Sequence, residues 1–158
     1  MPSIFEKQRS FTAAQLRTVA QRRFRDAEAL AATKDNERAN GAMYMGGFVI
    51  EILLKAMLVS SFPSSGTDRV TRPLSNEENN IRGLVWGSHN LDQLAGAIPQ
   101  FEAALDAKGG RAGLPYLNYF RSISAVWTVY ARYSPFSTTV TEAQEMIEKV
   151  RNLKEVLQ

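Results

Sequence analysis

Residues 41–62 read GAMYMGGFVIEILLKAMLVSSF, a nearly unbroken apolar run with Glu51 and Lys55 near its middle. The run is long enough to cross a bilayer. Each charge, however, would cost about 2.5–3.5 kcal/mol at a membrane centre on insertion scales. A lone span has no partner helix to soften that cost. The run therefore predicts the buried central helix of a helical domain, with no membrane association. Glu51 precedes Lys55 by four residues, the order that favours an ion pair on one helix face. A buried charge needs a partner, and Arg132 is a further candidate to meet Glu51.

Upstream, Leu16, Val19, Ala20, Phe24, Ala27, Leu30 and Ala31 recur at spacings of three and four. That stripe predicts a helix over 14–33, with its arginines and Asp26 mostly off the stripe. Lys7, Arg9, Arg17, Arg22, Arg23 and Arg25 precede residue 26, opposed there only by Glu6. Such a bias fits either a solvated helix face or a contact for nucleic acid or an acidic partner. No aromatic residues interleave with the arginines as a base-stacking platform would require. Asp35 or Asn36 can cap a second helix that runs through the apolar stretch to about residue 60. Inside it, Ala42, Gly46 and Gly47 offer a flat patch. Glycine within a helix costs roughly 1 kcal/mol against alanine, so a packing partner is expected there, whether another helix or a second copy of the chain.

Downstream, residues 62–87 are polar and rich in Pro, Gly, Ser and Asn, which predicts a long loop of the functional or mobile kind. Ser88 reads as the N-cap of a helix carrying Leu91, Leu94, Ala95 and Ile98. Pro99 should bend or interrupt it, with continuation over 101–107 and an end at Gly109-Gly110. Pro115 suits the first turn of another helix, with Leu117, Phe120, Ile123, Trp127 and Tyr130 inward and a stop near residues 132–135. Thr139 and Glu142 make a capping-box pattern ahead of a last helix striped by Ala143, Met146, Ile147, Val150, Leu153 and Leu157. No alternating strand pattern appears. The expectation is an all-α single domain, an up-and-down bundle of four to five helices.

The 158 residues, 44% hydrophobic and 22% charged with a net charge of +3, suit one ordinary globular domain. The chain has no cysteine, which removes disulfides, thiolate metal sites and cysteine nucleophiles. The N-terminal stretch MPSIFEKQRSFTAAQ lacks a signal-type apolar run, and a cytoplasmic location is expected. His89 is the single histidine. One histidine cannot build a multi-histidine zinc site, and neither HExxH nor the paired ExxH of di-iron bundles occurs. No GxxxxGK[ST], GxGxxG or GxSxG is present. No metal and no cofactor are expected. His89 reads either as a helix-start group bonded to a carbonyl or as a general base. Glu51 and Lys55 read either as a catalytic pair or as an internal ion pair that sets helix register. Arg132 and Tyr133 read either as a phosphate contact or as a staple between two helices.

Taken together, these segments resemble the HEPN superfamily of all-helical domains, named for higher eukaryotes and prokaryotes nucleotide-binding. RDAEAL at 25–30 is similar to its acidic opening helix, and YMGGFVIEILLKAML at 44–58 to its GY.iE..LKA.L pattern. His89-Asn90-Leu91 with Leu94 is similar to H.L..L, and Arg132-Tyr133 followed by TEAQEMIEKV to its closing segment. The resemblance covers about residues 13–157. It implies a helical bundle that forms a homodimer, often beside a minimal nucleotidyltransferase in a toxin–antitoxin or defence system. Many members cleave RNA without metal, and those carry an arginine followed four to six residues later by histidine. Here neither Arg121 nor Arg132 has a histidine within that reach, and Arg82 precedes His89 by seven. The expectation is a non-catalytic domain that binds a nucleotide, nucleic acid or protein partner through Glu51, Lys55, His89, Arg132 and Tyr133. The alternative is a diverged metal-independent ribonuclease with His89 as base and Arg132 at the transition-state charge.

Overall fold

The computed structural model describes residues 10–67, 70–128 and 137–158, and among these every regular element is helical. Seven α-helices follow in order among the described residues: α1 (Ala13–Ala32), α2 (Asn36–Ser61), α3 (Asn76–Gly87), α4 (Leu91–Gly96), α5 (Phe101–Ala112), α6 (Tyr116–Val126) and α7 (Val140–Leu157). A 3-10 turn at Pro63–Gly66 joins α2 to the segment before α3. The all-helical class expected from the periodicity holds. The count of four to five helices does not.

The central helix is α2, 26 residues long. It packs most extensively against α1 and next against α7. Ile50, Leu53, Leu54 and Leu58 are among the largest fully buried side chains. The helix is long and apolar enough to cross a membrane, but most of that stretch is buried inside the chain's own fold. Asp35 caps it by accepting from the Glu37 amide at 2.9 Å. At the start of α1, Thr12 and Gln15 form a reciprocal capping box. Its Ala20, Phe24, Ala27 and Ala31 are buried, along the stripe read from the sequence. The last helix, α7, begins with the expected Thr139–Glu142 capping box and buries all six stripe residues.

The expected loop over 62–87 is corrected: its second half is α3. Ser75 and Glu78 form a capping box at its start, and Ile81 and Val85 are its buried residues. Two anchors are enough because α3 is a surface helix packed mainly on the 3-10 turn. Ser88 is not a helix N-cap. It follows α3, and Asn90 caps α4 by accepting from the Gln93 amide at 3.0 Å. Pro99 lies in the interruption between α4 and α5, as expected. The break at Gly109-Gly110 is also corrected, since α5 continues to Ala112 and ends at Gly113 with φ 65°. Gly109 is buried where an added Cβ would stand 2.4 Å from the Leu114 carbonyl oxygen. It serves a close approach, while Gly113 supplies the left-handed turn.

Gly46 and Gly47 are buried within the chain, which corrects their reading as a face for a second copy. A Cβ at Gly46 would lie 3.0 Å from Ile147 of α7. One at Gly47 would lie 2.1 Å from Cδ1 of Trp127. Trp127 follows α6 with extended backbone and donates its indole N–H to the Tyr44 carbonyl at 2.9 Å. It reaches across 83 residues of sequence to close the side of α2.

Candidate functional site

Glu51 is 1% exposed, in the middle of an otherwise apolar helix face. A carboxylate taken out of water needs polar partners close by. Among the described residues it has two. The Lys55 ammonium, one turn on, donates to Oε1 at 2.7 Å. The His89 ring presents Nδ1 to both carboxylate oxygens, 3.1 Å from Oε1 and 3.2 Å from Oε2. Lys55 is itself almost wholly buried, with 10% of its side chain exposed. The Glu51–Lys55 pair is therefore a desolvated ion pair along one helix, and its charges cancel.

His89 stands outside any helix, in the two-residue connection after α3 and before the Asn90 cap of α4. The expectation of a helix-start position is corrected, and the difference matters. Extended backbone at Ser88 and Asn90, on either side of it, lets the ring turn back toward α2. The connection is held by side-chain bonds: the Asn90 amide donates to Ser88 Oγ at 3.1 Å, and that hydroxyl donates to Gln93 Oε1 at 3.1 Å. Nearly half of the His89 side chain, 46%, remains exposed. The ring thus meets a buried carboxylate through Nδ1 and leaves much of its surface open to solvent.

His89 lines a cleft of about 420 Å³, with Ser88, Asn90, Gln93, Ser124, Trp127 and Thr128 also on its walls. Hydroxyls and amides dominate. Asp92 is the one fixed charge among the described lining residues. A larger cleft of about 650 Å³ lies on the other side of Trp127 and Thr128, which border both. Its walls carry Lys149 against Glu142 and Glu145. Glu142 is already engaged, because the Thr139 backbone amide and then its hydroxyl hold that carboxyl below its usual range. The smaller cleft, not the larger, adjoins the buried ionic cluster, and it is the better candidate site.

The structure thus brings together three of the five residues singled out from the sequence: Glu51, Lys55 and His89. Arg132 and Tyr133 lie outside the described residues, as does Tyr130, so the proposed Arg132–Glu51 contact has no counterpart to report. The Lys55 ammonium is directed at Glu51. Sequence reasoning missed Ser88, Asn90, Gln93, Ser124 and Thr128 as cleft residues. Asn90, three residues before Gln93 at a helix start, was a legible capping signal; Ser124 and Thr128 carried none. Among the described residues no group of three or more His, Cys, Asp or Glu side chains could hold a metal ion. Comparison of the chain with protein-family models, with curated proteins and with solved structures found no match.

Proposed function

We propose that this chain is a non-catalytic, HEPN-like helical domain that binds a nucleotide, free or as part of a nucleic acid, in the cleft beside His89. The observation that supports this reading is an imidazole anchored from behind by a buried carboxylate at the mouth of a polar cleft. Such an anchor immobilises the ring before any ligand arrives, which lowers the ordering cost of binding. The hydroxyl and amide groups of the walls match the hydrogen-bonding edges of a base and a ribose. In this reading the domain is a homodimer that works beside a nucleotidyltransferase in a cytoplasmic toxin–antitoxin or defence system, with no metal or other cofactor. Isothermal titration of the whole chain with nucleoside mono-, di- and triphosphates tests it. Saturable binding that His89→Ala weakens at least tenfold supports the reading. Full affinity in the variant, or no binding by the wild type, overturns it.

One observation favours the ribonuclease alternative. A carboxylate on one ring nitrogen of a histidine that lines a cleft is the arrangement of a base and its orienting group. Cleavage of a single-stranded RNA by the wild type, lost in His89→Ala with folding intact, would replace the binding reading with the enzymatic one.

A further inference from the structure

The hydrogen-bonding role of His89 toward a ligand follows from the groups behind it. An ionised carboxylate has only acceptor sites. His89 Nδ1, 3.1 and 3.2 Å from the two Glu51 oxygens, must therefore carry the proton of that contact. In a neutral imidazole the other nitrogen, Nε2, is then an acceptor with a free lone pair. Glu51 makes no call for a second cation, because Lys55 already balances it at 2.7 Å. Lys55 acts here as a positioning residue, through Glu51. The exposed edge of the ring is thus an acceptor fixed in place.

A second, independent observation points the same way. The described walls of the cleft include Asp92 and no lysine or arginine. A phosphate oxygen brought to this place would set lone pair against lone pair at Nε2, with no fixed cation on those walls. A hydroxyl or exocyclic amino group would supply the missing proton. Resting on the nucleotide-binding reading, we infer that the group received at His89 is an uncharged hydrogen-bond donor of the ligand, a ribose hydroxyl or a base amino group, and that phosphate lies away from it.

Because His89 is the only histidine, imidazole ¹⁵N labelling makes the whole chain a one-residue probe. The neutral ring of the unliganded protein is expected to show protonated Nδ1 and bare Nε2. Adenosine should move the Nε2 resonance in a saturable way, and inorganic phosphate at equal concentration should leave it in place. Glu51→Gln, whose amide can donate as well as accept, should lose the single tautomer. Protonated Nε2 with bare Nδ1 in the wild type overturns the inference. So does a phosphate response at Nε2 as large as that of adenosine, and in that case the nucleotide reading survives. If no nucleoside or nucleotide of any of the four bases disturbs the protein, the nucleotide reading fails and the inference falls with it. Should Glu51→Gln fail to fold, the wild-type tautomer and the two titrations still decide.

Discussion

The indole of Trp127 occupies the space that a side chain at Gly47 would need: a Cβ there would stand 2.1 Å from Cδ1 and 2.2 Å from Cγ. Glycine in mid-helix is normally a weakness of about 1 kcal/mol against alanine. At this position it lets an aromatic ring lie directly on the helix and bond the Tyr44 carbonyl. Trp127 in turn forms the wall shared by the two clefts. The helix interior, the ring and the site are one packing problem.

Gly47→Ala should therefore destabilise the chain despite the better helix propensity. Overpacking of this kind costs about 1–3 kcal/mol, and a shift of 1 kcal/mol lowers Tm by roughly 2–4 °C in a chain of this size. Calorimetry should show the drop, and tryptophan emission should shift as the indole moves toward water. An unchanged Tm and spectrum would show that Trp127 does not depend on Gly47.

Gly83 supplies the contrast. It lies in α3, and an added Cβ there meets nothing within 4 Å. Gly83→Ala should raise stability by about 0.5–1 kcal/mol through helix propensity and a less flexible unfolded chain. Chemical denaturation of the two alanine variants side by side should give opposite signs. Equal signs would refute the packing account of Gly47.

Lys55→Met leaves the Glu51 carboxylate buried with His89 as its one remaining described partner. Removing one member of a buried pair costs about 3–5 kcal/mol, and the denaturation midpoint should fall accordingly. Replacing both members, Glu51→Leu with Lys55→Met, should recover most of the loss, because an apolar pair of similar volume needs no counter-charge. A double variant no more stable than the single would mean that the pair contributes more than charge compensation.

The start of α3 should be acid-sensitive. The guanidinium of Arg72 bonds the Glu78 carboxyl, and the Ser75 amide adds a second bond at 2.9 Å. Together they hold Glu78 at about 2, against an ordinary value of 4.5. A depressed folded value means that the stabilisation is fully present above about 4.5 and is lost as pH falls toward about 2. The stability gap between wild type and Glu78→Gln should be constant above that window and close within it. A gap unaffected by acid would place the contribution of Glu78 elsewhere. The Thr139–Glu142 cap of α7 is shifted in the same direction and should reinforce the trend.

The same capping pattern shows why some elements were legible and others were not. Thr139–Glu142 was read as a helix start because six apolar residues follow it in a clear stripe. Ser75–Glu78 is the same device, yet the α3 sequence reads as loop. Its residues NEENNIRGLVWG carry only two buried anchors, Ile81 and Val85, and the asparagines and glycines dominate any window average. Likewise Gly109-Gly110 looked like a helix end, although Gly109 is there for the Leu114 carbonyl. A glycine that admits a neighbour and a glycine that turns the chain are identical in sequence.

From the sequence alone came the helical class, the central position of α2, the buried stripes of α1 and α7, and Glu51–Lys55 as a same-face pair. All of these rest on interactions within a few residues, where helical geometry dictates which side chains meet. Only the tertiary structure decided that His89, 38 residues from Glu51, turns its Nδ1 to that carboxylate. The same holds for Trp127, 83 residues from Tyr44, which lies over Gly47. Such contacts depend on how whole helices pack and on which backbone leaves room for which ring. No local spacing encodes that choice, because its physical cause is the shape of the assembled core.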